Sequence, residues 1–406
     1  MNTIPNKTER LHSLDSLRAI MMMLGIVLHS AVPYMVTEFG FSKDPNATHL
    51  SIDIIFSIIH SFRMPTFMLV AGFFAAMLFY ERSPLKMLKN RASRVLFPFI
   101  VFLLLLYPTL KFSRIYADAT FAGSDHALED AAAYFSDFLT FLPNSTWHLW
   151  FLYYLIFFTI ISVLLALVFQ KLPGVSIKIS QIFNWVFQKP ILRVFVFAGM
   201  TAVIFLSIGD STLPHSNSLI PDVNVFIFYF SFYMVGWVLF KSKQLLDSFK
   251  QFDWTCTILA LVLFALGLAI GPLKLIDTNP YQDMANAIVQ SLVIWSFIFG
   301  ITGLFIRYTS SYSARMRYIS DASYWVYLLH YTLTIFIAPL LFGWDVHAII
   351  KFLTVIISTT IICFVTYHYL VRSTFIGEFL NGRKYSRKLS DIQKQEELSE
   401  QKMALG

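Results

Sequence analysis

The chain has 406 residues, of which 57% are hydrophobic and 14% charged, with 42 phenylalanines, a mean hydropathy of +0.64 and a formal net charge of +7. A soluble protein carries about a quarter charged residues, so this composition excludes a large soluble domain and points to a multi-helix membrane protein. The positive charge does not imply nucleic-acid binding, because the basic residues sit in short loops between apolar runs, where they record topology.

Ten runs are long enough for a hydrocarbon core that needs about 20 apolar residues: 17–35, 51–80, 95–112, 147–170, 192–209, 223–241, 253–271, 284–306, 320–342 and 347–371. The predicted fold is all-α and polytopic, with about ten transmembrane helices. With the first residues in the cytoplasm, the inward segments carry 25 Lys and Arg and the outward ones 5, which predicts both termini cytoplasmic. The expected division is a cytoplasmic N-terminal segment over 1–16, a membrane domain over 17–372 and a charged cytoplasmic tail over 373–406, helical or disordered toward its end. Asp15 and the lack of a clear A-x-A site argue against a cleaved signal peptide. Cys256 and Cys363 lie inside apolar runs and read as buried packing thiols, with no disulfide framework and no metal pair. The connection 113–146 carries five acidic residues and reads as solvated, and no internal repeat of the transporter kind is visible.

Within the first run, LDSLRAIMMMLGIVLHS (14–30), Arg18 stands at the cytoplasmic end and His29 eleven residues on. At helical rise that is roughly 16 Å along the axis. Arg18 can snorkel to the interface and His29 can be a packed core histidine, yet ionisable groups at this depth usually face an interior or a wet cavity. The second run, with IIHSFRMPTFMLVAGFF at 58–74, enters from outside, which puts His60 and Arg63 about 15–20 Å deep on one helix face. Pro65 frees a carbonyl beside them. No acidic residue stands at matching depth, which favours an anionic ligand for Arg63 over backbone carbonyls and water.

The loop before the third run ends with Arg91 and Arg94, three apart on one face, a spacing that suits phosphate oxygens or plain positive-inside charge. In STWHLWFLYYL (145–155), Trp147 and Trp150 read as an interfacial belt, with His148 at the outer mouth. In SDASYWVYLLHY (320–331), His330 lies about 15 Å from the cytoplasmic end, near the level of His29 and Arg63. Tyr324, Tyr327 and Tyr331 recur there at helical spacing, as site or as packing aromatics. Asp15 is placed to orient Arg18, and Asp321 to act as a cap.

Taken in order, the Arg–His pair of the first run, LDSLRA, HSFRMPTFMLVAGFF, PLKMLKNRASR with its Arg-x-x-Arg, and HLWFL resemble the acyltransferase-3 family of integral-membrane acyltransferases. The resemblance runs along most of 10–380 and is strongest over 10–100. It implies ten transmembrane helices in the bacterial inner membrane and transfer of an acyl group from cytoplasmic acyl-CoA to a carbohydrate hydroxyl on the far side. The branch it is most similar to implies succinyl-CoA as donor substrate and a periplasmic glucan as acceptor, with the lipid bilayer as surroundings and no resident cofactor or metal. On this reading Arg18, Arg91 and Arg94 hold the CoA phosphates. His29 is general base or proton relay. His330, Tyr327 and the His60/Arg63 group stabilise the thioester oxygen, with His148 also in the acceptor site. Arg63 could instead read a distal carboxylate on the acyl group. Two rivals remain at this stage: an O-acetyltransferase of another envelope polysaccharide, and a transporter or flippase.

Overall fold

The computed structural model describes residues 11–38, 40–270, 280–388, 390, 391 and 394. Fourteen α-helices occupy them: α1 (His12–Ala31), α2 (Leu50–Glu81), α3 (Pro84–Arg91), α4 (Phe97–Phe121), α5 (Ala127–Ala133), α6 (Trp150–Gln170), α7 (Pro173–Phe187), α8 (Pro190–Ile208), α9 (Val223–Lys241), α10 (Asp253–Ile270), α11 (Pro280–Tyr308), α12 (Ala314–Leu340), α13 (Ala348–Thr366) and α14 (Phe375–Asn381). Among the described residues there is no strand, only one isolated bridge between Ser145 and Ser218. The outermost parts of the tail, the first ten residues and Lys274 lie outside the described residues.

Nine helical stretches among the described residues are long and apolar enough to cross a membrane. The expected run 320–342 falls on α12, which has 27 residues but is not among those nine. Tyr324, Tyr327, His330, Tyr331, Thr332 and Thr334 lower its hydropathy, and it sits inside the bundle against α1, α4 and α13. Helices at the periphery show the opposite pattern. Phe195 and Val203 on α8, Ile258 and Val262 on α10, and Ile357 and Ile361 on α13 are all exposed, the apolar outer face that lipid requires. The segment after α6, expected as a loop, forms α7, which exposes Ile177, Ile182 and Trp185.

Helix starts follow local chemistry. The Ser83 hydroxyl accepts from the Lys86 amide ahead of Pro84, and Asp222 accepts from the amides of Asn224 and Val225. His49 and His347 cap α2 and α13 in the same way, and their rings lie 5.0 Å apart. Two helix joints, Ala92–Leu96 and Tyr367–Val371, are π-helical. The wider turn rotates the residues after it relative to those before it.

The bundle is closed by ion pairs at both ends. At the end that holds the α2 N-terminus, the Lys351 ammonium and Asp44 carboxylate are 2.7 Å apart and almost wholly buried. They tie the α1–α2 connection to α13. At the other, basic end, Asp321 is buried between Arg317 at 3.0 Å and Arg372 at 3.7 Å. The Arg372 guanidinium also stacks on Tyr318, Tyr367 and Tyr385 and donates to the Ser386 carbonyl. The first part of the tail therefore folds back onto the bundle, and Asp321 is an ion-pair hub as well as an early residue of α12.

In the middle, α2 and α9 cross at two glycines. A Cβ on Gly72 would strike the Tyr233 carbonyl, and one on Gly236 would strike that of Leu69. Backbones this close are the usual way helices associate where lipid removes the hydrophobic drive. We expect Gly236→Leu to cost more than the roughly 1–3 kcal/mol of ordinary overpacking, read as a loss of monodisperse, heat-stable protein in detergent. Unchanged melting would contradict the crossing. Lys351→Met alone should cost about 3–5 kcal/mol by stranding Asp44, and Lys351→Met with Asp44→Leu should recover most of it. Additive losses in that double-mutant cycle would show that the pair carries no coupling.

Candidate functional site

Three helices and one turn bring the expected polar residues to one cavity of about 180 Å³. Its α1 wall runs from Met21 and Met22 past His29 to Val32 and Pro33. Phe56, His60, Arg63, Met64 and Phe67 come from α2, and Tyr327, His330, Tyr331 and Ile335 from α12. His148 enters from the turn before α6. The volume suits on the order of ten waters or a short acyl group and a hydroxyl.

The imidazoles form a cluster. The His29 and His330 rings are 5.3 Å apart, and His29 meets the Tyr331 ring edge-on at 4.5 Å. His148 lies 5.8 Å from His330 and 4.9 Å from Tyr331. Depth estimated from helical rise thus groups the same residues that the fold assembles. His60 stacks on Phe56, one turn earlier on its own helix.

Hydrogen bonds fix what each group can offer. His330 Nδ1 faces its own helix, 3.0 Å from the Val326 carbonyl and 2.7 Å from that of Tyr327. Both partners are acceptors, so Nδ1 carries the proton, and a neutral His330 presents a lone pair at Nε2. That Nε2 is buried without a hydrogen-bond partner. The Tyr327 hydroxyl donates to the His148 carbonyl at 2.7 Å. Two side chains expected to donate to a developing oxyanion are thus set otherwise: Tyr327 has spent its proton, and neutral His330 is an acceptor. Arg63 keeps donor capacity at its buried Nε. His148 Nε2 lies 3.1 Å from the Leu328 carbonyl, which leaves its Nδ1 as the buried acceptor.

Arg63 is the one cation of the cluster among the described residues. Its Nε is buried with no hydrogen-bond partner, and no described carboxylate pairs with it. His29, His148, His330, Tyr229 and Tyr327 all lie within electrostatic range of it. Gly25, one turn before His29, makes the room. A Cβ there would lie 2.7 Å from Arg63 Nη1 and 2.9 Å from His330 Nε2.

The cavity reaches the surface at the end away from the basic residues. His215 and Asn217, both exposed, line it there from the α8–α9 connection. Thr146 clips that connection in place, its amide 2.6 Å and its hydroxyl 3.0 Å from the Asn217 carbonyl. Trp147 then adopts a left-handed φ of 46°, a strained turn that carries the chain to His148. Arg114 binds Asp118 through both carboxylate oxygens and donates to the Gly40 carbonyl, and Ser42 donates to Asp118. Tyr229, His215, Asn217, Arg114 and Asp118 were not singled out as site residues from sequence. Tyr229 sits in a run of aromatics without a distinguishing period, and the others lie in or beside polar connections.

The basic-end residues separate into two roles. Arg18 pairs with Asp15 at 3.2 Å and lies over the Phe74 ring. Arg91 is within electrostatic range of Arg18, Tyr233 and Tyr324, and its Nε is buried without a partner. Arg94 turns away. Its Nη1 donates to the carbonyls of Glu378 and Phe379 in the last turn of α14, at 3.0 and 3.2 Å, where the helix dipole favours a cation. The π-helical turn that begins between them breaks the α-helical register that would have set Arg91 and Arg94 side by side. Arg18 stands one turn before Met21 and Met22, the cavity's inner end.

No solved structure matches the chain. It is similar to the glucans biosynthesis protein C of Salmonella schwarzengrund, Salmonella paratyphi B and Salmonella typhi, each 26% identical over 399 residues, which is 94% of this chain and 97% of the relative. A family model described as an acyltransferase domain matches residues 11–368. With its membrane-spanning helices and a match over that length, the chain belongs to the acyltransferase-3 family and is a multi-pass membrane acyltransferase.

Proposed function

We propose that the chain moves a succinyl group from cytoplasmic succinyl-CoA to hydroxyls of a periplasmic glucan, across the bacterial inner membrane. The observation that carries this reading is a single cavity that opens at one end of the bundle and stops one helical turn from Arg18 at the other. The glucan acceptor is supported by the name that the Salmonella relatives carry. The 25-to-5 charge split supports a cytoplasmic basic end. On this reading both termini are cytoplasmic, 17–372 is the acyltransferase domain and 373–406 its cytoplasmic tail.

The donor's phosphates fit the Arg18–Arg91 pair, where two guanidiniums lie close and Arg91 Nε has no hydrogen-bond partner. Arg94 enters this site only by leaving the α14 carbonyls. The acyl end would pass the methionines Met21, Met22 and Met64, whose side chains repack easily. The acceptor hydroxyl enters past His215 and Asn217, with His148 at the entrance. Its oxygen attacks the thioester carbonyl carbon while His29 takes its proton. A C–O bond forms, the C–S bond breaks, and the proton passes from the imidazole to the departing CoA sulfur. On the α2 wall, His60 answers the carbonyl oxygen as charge builds on it, and Arg63 stands nearly one turn further along the helix. His330, whose ring lies 5.3 Å from that of His29 and whose Nε2 is an unpaired acceptor, can share the proton between the two steps.

The test is CoA release and glucan succinylation by membranes holding equal amounts of wild type and His29→Ala. We expect the substitution to lower the rate about 10²–10⁴-fold, the usual worth of a positioned base. A His29→Ala enzyme within threefold of wild type would remove His29 from the chemistry.

A further inference from the structure

Resting on the acyl-CoA reading, we propose that Arg63, packed against Gly25 and with Tyr229 beside it, is a subsite that binds a terminal carboxylate on the transferred acyl group. The chain would then select donors by a negative charge at the far end of the acyl chain, and Arg63 would be its specificity-determining residue.

Three observations converge on this subsite. A guanidinium inside a membrane bundle is costly unless something anionic or wet answers it, and no described carboxylate does so here. The other groups gathered round it are imidazoles and phenols, whose neutral forms leave the positive charge uncompensated. Next, the glycine at position 25 lets Arg63 Nη1 and His330 Nε2 pack directly against the α1 backbone, where a Cβ would lie 2.7 and 2.9 Å from them. That contact lies one turn from His29, so a succinyl chain whose carbonyl faces His29 can bend its terminal carboxylate back to the Arg63 fork. Finally, the ligand must be an acceptor on the Arg63 side. Neutral His330 presents a lone pair at Nε2 and cannot hold an anion, so the cation has to do so. A planar fork and a carboxylate match two N–H donors to two oxygens.

The competing role for Arg63 is stabilisation of the thioester oxyanion, which every acyl donor shares. Succinyl-CoA and butyryl-CoA separate the two, because the chains are equally long and only one ends in a charge. We expect wild type to prefer succinyl-CoA in kcat/KM by about 10²-fold or more, since a site built for a polar group rejects the analogue lacking it. Arg63→Gln should bring the two donors within about threefold of each other, and Arg63→Lys should keep part of the preference, because the charge stays while the fork is lost. Equal loss on both donors in Arg63→Gln, with the preference intact, would overturn the proposal in favour of the oxyanion role. Equal use of both donors by wild type would overturn it without any variant, even if the substitutions prevent folding. Failure of wild type to release CoA from either donor would instead overturn the acyl-CoA reading on which the proposal rests.

Discussion

A guanidinium held inside a helical bundle sets the terms for what packs around it. Arg63 lies midway along α2 with no described carboxylate to neutralise it, and burial of such a charge is tolerated only with hydration or a ligand. The surrounding choices follow from that constraint. Gly25 lets the guanidinium pack directly against the α1 backbone. The neighbouring titratable groups are imidazoles and phenols, which can stay neutral beside a cation. α12 gives up the hydropathy of a membrane span in order to supply them, and it is shielded by α1, α4 and α13.

The rest of the fold keeps this arrangement from collapsing. Asp44 with Lys351 closes one end, and Asp321 with Arg317 and Arg372 the other. They also anchor α12 and α13, so His330 keeps its bonds to its own helix carbonyls. Between the ends, the glycine crossing of α2 and α9 fixes the height of Arg63. The methionines at the inner end of the cavity are the adaptable part. A rigid polar chamber over a soft apolar floor suits a reaction whose two substrates arrive from opposite sides.

Much of this was legible from helical rise alone. Counting from each membrane entry placed His29, Arg63 and His330 at one level, because α1, α2 and α12 are regular enough for 1.5 Å per residue to hold. Asp15 three before Arg18 announced an ion pair that the structure contains. What spacing could not convey was tertiary pairing. Arg91 and Arg94 share a face in an ideal helix, but the π-helical turn and the carbonyls of α14, nearly three hundred residues away, give Arg94 another partner. Asp321 reads as a cap, but Ser313 caps α12 and Asp321 lies two turns in, paired with Arg317 on its own helix and with Arg372 on a distant joint. Tyr229, His215 and Asn217 carried no periodic signal. The ninth run reads as a span on its apolar residues, whereas the polar ones decide the character of α12.

The central claim is that one chamber joins a donor on the basic face to an acceptor on the other. The direct measurement uses proteoliposomes sorted for orientation, with labelled succinyl-CoA on the Arg18 side and glucan enclosed on the opposite side. The account predicts labelled glucan in the lumen, with one CoA released outside for each succinyl group transferred. Labelled glucan formed only when donor and glucan share a side, or CoA release with no modified glucan in the lumen, would contradict it.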